Sequence, residues 1–267
     1  MKLFYRELGK GFPLVILHGL YGSSDNWMGI AKRLSTSHRI ILPDQRNHGQ
    51  SPHSSSHTYP DMANDLAELV DNLGIDNFHL LGHSMGGRTA MLYQSLFPNM
   101  VKSLVVADIA PWPYQPNDEV FRLSLAEHSS IIKGMLSLPL TSIKSRYEAE
   151  KMLTGSIPSQ KLRQFLLKNL KRDTSGSYSW CLNLPVLESS LRELITGVNL
   201  ECGKKSPTRV LFVKGENSNY LPENSEVRLT DYYPDCRLVT IRNATHWLHA
   251  EQPEVFTKSI LEFLQKG

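Results

Sequence analysis

Gly82-His83-Ser84-Met85-Gly86-Gly87 sets a serine between small residues, where the apolar run Phe78 to Leu81 meets a helical pattern beginning near Met85. A strand-to-helix turn this tight has no room for side chains at Gly82 and Gly86, and it lifts the Ser84 hydroxyl above the sheet as a nucleophile elbow. It also sets Ser84 at a helix N-terminus, where free N–H groups and the helix dipole favour developing negative charge. The chemistry this suggests is attack on a carbonyl carbon. A serine capping a helix looks the same locally, so the reading requires a base, because a hydroxyl alone is a weak nucleophile.

Ten histidines are available. His246, in Asn243-Ala244-Thr245-His246, follows the last apolar run, Leu238 to Ile241, and precedes the final helix. It therefore comes after the serine in the chain and at the same edge of a sheet. His249 is the alternative, displaced towards the helix opened by Glu251-Gln252-Pro253. The turn His18-Gly19-Leu20-Tyr21-Gly22 follows the first central run, and its glycines admit close backbone approach. Two backbone N–H groups are expected to meet an oxyanion, Leu20 from this loop and Met85 after the serine. The loop residues also fit a plain tight turn, with His18 shaping it.

The acid has two candidates. Chain order points to Lys214-Gly215-Glu216-Asn217-Ser218-Asn219-Tyr220, where Ser218 stands in the expected place and Glu216 is the local carboxylate. Asp108 ends the preceding run in Val105-Val106-Ala107-Asp108-Ile109-Ala110-Pro111, and strand ends on this side face one crevice. A carboxylate accepting Nδ1–H would fix the imidazole tautomer, with Ser218 adding a neutral hydrogen bond. Asp108 could equally cap the next turn. In Asp44-Gln45-Arg46-Asn47-His48-Gly49-Gln50-Ser51, the carboxylate and arginine are expected to form a buried pair holding a loop.

The elements that must position these residues follow one pattern. Runs at Pro13 to Leu17, Arg39 to Leu42, Phe78 to Leu81, Leu104 to Ala107, Val210 to Val213 and Leu238 to Ile241 read as parallel strands, buried on both faces. Tyr59 to Leu73 and Ser84 to Phe97 read as covering helices, and Lys2 to Leu8 as an antiparallel edge strand. This is an α/β fold with a mostly parallel central sheet flanked by helices. The connection from Ile109 to Pro207 runs about 100 residues, where a crossover needs a dozen or more. Its helical patterns at Val120 to Leu136, Ile143 to Leu153, Ser159 to Leu170 and Val186 to Ile195, separated by Pro139, Pro158 and Pro185, predict a helical cap. The expected domains are a core of 1–110 and 207–267 and a cap of 111–206.

The 267 residues carry 29 basic and 26 acidic groups, a net +3 with mixed signs, which gives no electrostatic footprint for nucleic acid. Chains of this size bury enough surface to fold without staples. Cys181, Cys202 and Cys236 lack metal-ligand or redox spacing, which suits reduced, packed thiols. The start MKLFYRELGKGF has no apolar core of a signal peptide, and no run approaches the roughly 20 residues that span a bilayer. A cytoplasmic location without membrane insertion is expected. Signatures of nucleotide and zinc sites are absent, so no cofactor and no metal are expected.

The chain resembles the α/β-hydrolase superfamily and, within it, the bacterial abhydrolase-domain esterases, nearly end to end. The resemblance rests on His18-Gly19-Leu20-Tyr21-Gly22-Ser23, Arg46-Asn47-His48-Gly49 with Ser51-Pro52, Gly82 to Gly87, Asp108-Ile109-Ala110-Pro111, Asn217-Ser218, and His246-Trp247-Leu248-His249-Ala250-Glu251 followed by Pro253. It implies Ser84 as nucleophile, His246 as base, and Asp108 with Ser218 as the acid arrangement. Thr245 departs from the glycine common before the histidine. The implied activity is a carboxylester hydrolase for short to medium acyl esters or thioesters, acting on small molecules. Trp112, Trp180, Leu184, Val186 and Leu187 of the cap suggest an apolar acyl site. A carbon–carbon bond hydrolase, or a non-catalytic receptor on the same scaffold, would keep the same serine and histidine.

Overall fold

The computed structural model describes residues 1–174, 176–202, 208–222 and 224–265. In chain order the elements begin β1 (Tyr5–Leu8), β2 (Phe12–Leu17), α1 (Ser24–Leu34), β3 (His38–Pro43), α2 (Tyr59–Asn72), β4 (Phe78–His83), α3 (Met85–Leu96) and β5 (Val101–Ala107). An insertion then carries α4 (Glu119–Leu136), α5 (Arg146–Met152), α6 (Gln160–Leu166), β6 (Leu170–Arg172), β7 (Tyr178–Trp180) and α7 (Leu184–Thr196). The chain closes with β8 (Arg209–Gly215), α8 (Ser225–Tyr232), β9 (Arg237–Ile241), α9 (Leu248–Glu251) and α10 (Pro253–Leu264).

Seven strands form one sheet in the order β1-β3-β2-β4-β5-β8-β9, with β1 antiparallel to β3 and every other pair parallel. The strands read as continuous apolar runs because both faces are covered. On β2, Leu14 and Ile16 pack with Trp27, Ile30 and Leu34 of α1 and Phe256 and Ile260 of α10, whereas Val15 and Leu17 face the α2 and α3 side. After β3 the chain returns across β2 to lay down β4. Strand order therefore reverses between β2 and β4, and the loops leaving their C-terminal ends flank a crevice. Those loops begin at His18 and Ser84.

The insertion differs from the all-helical expectation. The helix foreseen over Ser159 to Leu170 ends at Leu166, and after a 3₁₀ turn Leu170 opens an antiparallel ribbon pairing Leu170 with Trp180 and Arg172 with Tyr178. Three-residue strands give too short a period-2 signal to detect. Pro185 lies in the first turn of α7 rather than before it, where its missing N–H costs nothing. The expected boundary at 206 falls in 203–207, outside the described residues. The cysteines are unpaired as foreseen, but none is fully buried and Cys202 is exposed.

Arg46 pairs with a different carboxylate from the one expected. Its Nε and Nη2 hold Asp65 of α2 at 2.6 and 2.9 Å, and Nη1 lies 3.1 Å from Asp61. Asp44 instead accepts backbone N–H groups from Ser24 at 2.6 Å and Gln50 at 2.8 Å. Asp65 is 2% exposed, and removing one partner of such a pair strands the other charge. Asp65→Ala is expected to cost about 3–5 kcal/mol in urea unfolding, while Glu254→Ala, which removes an exposed pair with Arg33, should cost under about 1 kcal/mol. Equal small losses would show that the buried pair does not hold α2.

Candidate active site

Between β4 and α3, Ser84 takes φ 53° and ψ −119°, a conformation non-glycine residues seldom adopt. A Cβ on Gly82 would lie 2.2 Å from the Gly86 carbonyl oxygen, and one on Gly86 would lie 2.5 Å from those of Leu17 and His18. The glycines thus let the turn close against itself and against the end of β2. Ser84 N–H donates to the Ala107 carbonyl at 3.0 Å, which ties the turn to β5. Met85 opens α3, where the first N–H groups have no intrahelical partner. In the facing loop, Tyr21 N–H donates to His48 Nε2 at 3.2 Å and Gly22 N–H to the Gly19 carbonyl at 3.0 Å.

Asp108 is fully buried just beyond β5 and also has positive φ, 54°. Its Oδ2 accepts His246 Nδ1–H at 2.7 Å and the Ser218 hydroxyl, and its Oδ1 accepts Gly215 N–H at 3.0 Å. Both alternatives lie elsewhere. Glu216 accepts Asn243 N–H at 2.8 Å near the surface, and buried His249 stacks on Trp27 with ring centroids 4.3 Å apart. Thr245, the departure before His246, closes its loop by donating N–H and hydroxyl to Glu251 at 2.7 and 3.0 Å.

Two residues that sequence reasoning did not single out hold His246 in place. His83, immediately before Ser84, donates Nε2–H to the His246 carbonyl at 2.8 Å. Tyr220 stacks on the His246 ring at 4.0 Å and 22°. Tyr220 also lines a cavity of about 30 Å³ that contains Ser84, Leu20, Met85, Arg88 and His128. A larger cleft of about 920 Å³ opens on the other side, lined by His246, Ser218, Trp112 and Glu127, with Tyr114 and Tyr220 bordering both spaces. Of the five apolar residues expected to shape an acyl site, Trp112 alone borders either space; Leu184 and Leu187 pack inside the insertion and Trp180 donates to the Met135 carbonyl at 3.2 Å. Arg88 could have been found in sequence, since it falls one helical turn after Ser84.

Burial keeps the neighbouring histidines neutral. It holds His18, His48 and His83 below the ordinary value, His57 and His249 down to about 3, and His128 to about 4. Hydrogen bonds fix two tautomers: His18 and His48 donate Nδ1–H to the Gly19 and Arg46 carbonyls, both at 2.9 Å, and accept backbone N–H at Nε2.

Comparison with known proteins bears on the family and the fold. A family described as alpha/beta hydrolase fold matches residues 13–128. The chain is 36% identical over 261 residues to the sn-1-specific diacylglycerol lipase ABHD11 of Danio rerio, covering 96% of this chain and 80% of that protein. It is 32% identical to Esterase YbfF of Escherichia coli K12, covering 94% and 92%. The solved structure of a marine microorganism esterase superposes with TM-score 0.92 at 40% identity, covering 98% and 99%.

The depressed histidines fix the sign of the acid response. Below about pH 6.5 the unfolded chain binds protons that the folded chain refuses, so stability falls with pH until each native value is passed. His57, His128 and His249 together should remove on the order of 5 kcal/mol between pH 7 and 5. Denaturant midpoints that do not change over this range would refute the neutral assignment.

Proposed function

The chain belongs to the alpha/beta hydrolase family and is a carboxylesterase-type hydrolase, and on that premise we propose that it cleaves short to medium acyl esters or thioesters through an acyl-enzyme on Ser84. In this reading His246 takes the hydroxyl proton as the Ser84 oxygen attacks the carbonyl carbon, and Asp108 stabilises the resulting imidazolium through Nδ1–H. The N–H groups of Leu20 and Met85 receive the oxyanion. The bond to the leaving group then breaks, and His246 returns the proton to the departing alcohol or thiol. A water molecule, deprotonated by the same imidazole, releases the acid and regenerates Ser84.

The observation that supports the reading most directly is the 2.7 Å bond from His246 to a fully buried carboxylate, together with the bond that ties the His246 carbonyl to His83, the residue before Ser84. The insertion acts in this proposal as a cap, 111–206, over a core of 1–110 and 207–267. Three bonds that cross between the two parts support it: Tyr59 hydroxyl to the Leu194 carbonyl at 2.7 Å, Asn169 Nδ2 to the Tyr21 carbonyl at 2.9 Å, and Asn183 N–H to the Asn47 carbonyl at 3.1 Å. Three unpaired cysteines accord with a reducing compartment, and we place the enzyme in the cytoplasm.

A fluorophosphonate probe should label wild type and not Ser84→Ala, and wild type should turn over a chromogenic ester many times. Asp108→Asn is expected to lower kcat by about 10⁴-fold. Ser218→Ala removes one neutral donor and should cost about 10-fold or less, while Glu216→Gln should stay near wild type. A crippled Glu216→Gln beside an active Asp108→Asn would overturn the acid assignment, and a single turnover would favour a receptor.

A further inference from the structure

Arg88 stands out as a buried cation whose charge the fold leaves partly unmatched. It follows Ser84 by one turn of α3 and is 1% exposed. Its Nη1 donates to the carbonyls of Leu194 and Ile195 at 3.0 and 2.6 Å, at the C-terminal end of α7. The guanidinium lies over the Tyr114 ring at 4.4 Å and beside the Tyr59 hydroxyl. Gly197 makes room for it, since a Cβ there would come within 2.3 Å of Cζ. Yet Nε and Nη2 have no hydrogen-bond acceptor, and among the described residues no carboxylate forms an ion pair with Arg88. A helix C-terminus supplies only about half a negative charge, and a buried cation without a full counter-charge is costly.

Nε and Nη2 form the edge of a guanidinium that takes a carboxylate side-on. Arg46 of this same chain uses that edge to hold Asp65 at 2.6 and 2.9 Å. On Arg88 both nitrogens lack an acceptor and are closed to solvent, and the residue borders the cavity that holds Ser84, Leu20 and Met85. At about 30 Å³ the cavity has room for about two waters, which suits a carboxylate on a short tether and not a long alkyl chain.

We infer that this cavity is an acyl subsite selecting short acyl groups that end in a carboxylate, with the buried Arg88 guanidinium turning toward the cavity to hold that carboxylate through Nε and Nη2. The inference rests on the esterase reading and names the substrate class for it: half-esters or half-thioesters of short dicarboxylic acids. Hydrolysis breaks the bond between acyl carbon and leaving group. Water gives its hydroxyl to the acyl carbon and its proton to the leaving group, and the distal carboxylate is unchanged.

The test compares monoethyl succinate with ethyl 4-methylpentanoate, in which two methyl groups replace the two carboxylate oxygens. Wild type should show kcat/KM at least 10-fold higher for the half-ester. Arg88→Gln should lower the ratio of the two values by about 10–100-fold, as loss of a charge-assisted pair does, whatever happens to the absolute rates. Arg88→Lys should restore part of the ratio. Because Arg88 also holds α7, a second arm uses chains with Arg88 intact: calorimetry of succinate against 4-methylpentanoate on wild type and Ser84→Ala should show succinate binding more tightly. Equal or reversed preference in wild type, or no binding of succinate, overturns the inference. Turnover of neither ester with succinate still bound would count against the esterase reading and leave the Arg88 site supported.

Discussion

One buried carboxylate fixes where the C-terminal third of the sheet must end. Asp108 has no solvent of its own, so its charge is tolerable only while donors from other segments surround it. Gly215 at the end of β8, Ser218 in the loop beyond, and His246 in the loop after β9 supply them. The two loops are braced in turn: Glu216 N–H donates to the Ile241 carbonyl at 3.0 Å and Asn217 N–H to the Ala244 carbonyl at 2.8 Å, continuing the β8–β9 pairing past the strands. Gly215 is needed for that approach, because a Cβ there would meet the Thr245 carbonyl oxygen at 2.3 Å. Satisfying one carboxylate therefore sets the position of the imidazole.

Apart from Asp108, the rings packed around that imidazole are neutral and aromatic. His83 lies 4.7 Å away by ring centroid and Tyr220 at 4.0 Å, and burial keeps His83, His128 and His249 from acquiring a proton. A cluster that could charge would compete with His246 for the field of Asp108. In a low-dielectric pocket such competition is strong, since the same burial that strengthens one hydrogen bond strengthens every repulsion. Several histidines around a site thus leave one that is bonded to the carboxylate and the rest serving as neutral spacers and backbone ties.

The central strands are legible because β2, β3, β4, β5 and β8 are largely buried on both faces and so read as apolar runs. The serine turn was legible because its requirement is local: Gly82 and Gly86 meet backbone only a few residues away or at the end of the adjoining strand. Asp108 stood out as a charged residue closing an apolar run. What could not be read depends on partners distant in the chain. The His83 bond to the His246 carbonyl spans 163 positions and leaves no spacing signal, and Tyr220 looks like any loop tyrosine until it stacks. Proximity in sequence pairs Arg46 with Asp44. Asp44 was already committed to two backbone N–H groups, and α2 brings Asp65 to the guanidinium instead.

Ser84 and Asp108 share a mechanical feature that explains why the insertion leaves the chain where it does. Both hold left-handed backbone at the ends of neighbouring strands, a conformation costing about 1–3 kcal/mol each that persists only when its surroundings over-determine it. The surroundings are a short ladder: Ser84 N–H to Ala107 and Asp108 N–H to Val213, at 3.0 and 2.8 Å, step from β4 to β5 to β8. The connection into the insertion begins at the next residue, Ile109, whose side chain packs where Gly87 lacks one. It returns through α7, whose last carbonyls rest on Arg88, while Tyr114 N–H closes on the Thr196 carbonyl at 2.9 Å. Both ends of the insertion are therefore fastened to the first turn of α3, within four residues of the serine. A displacement of the insertion that reached these fastenings would act on the serine turn itself.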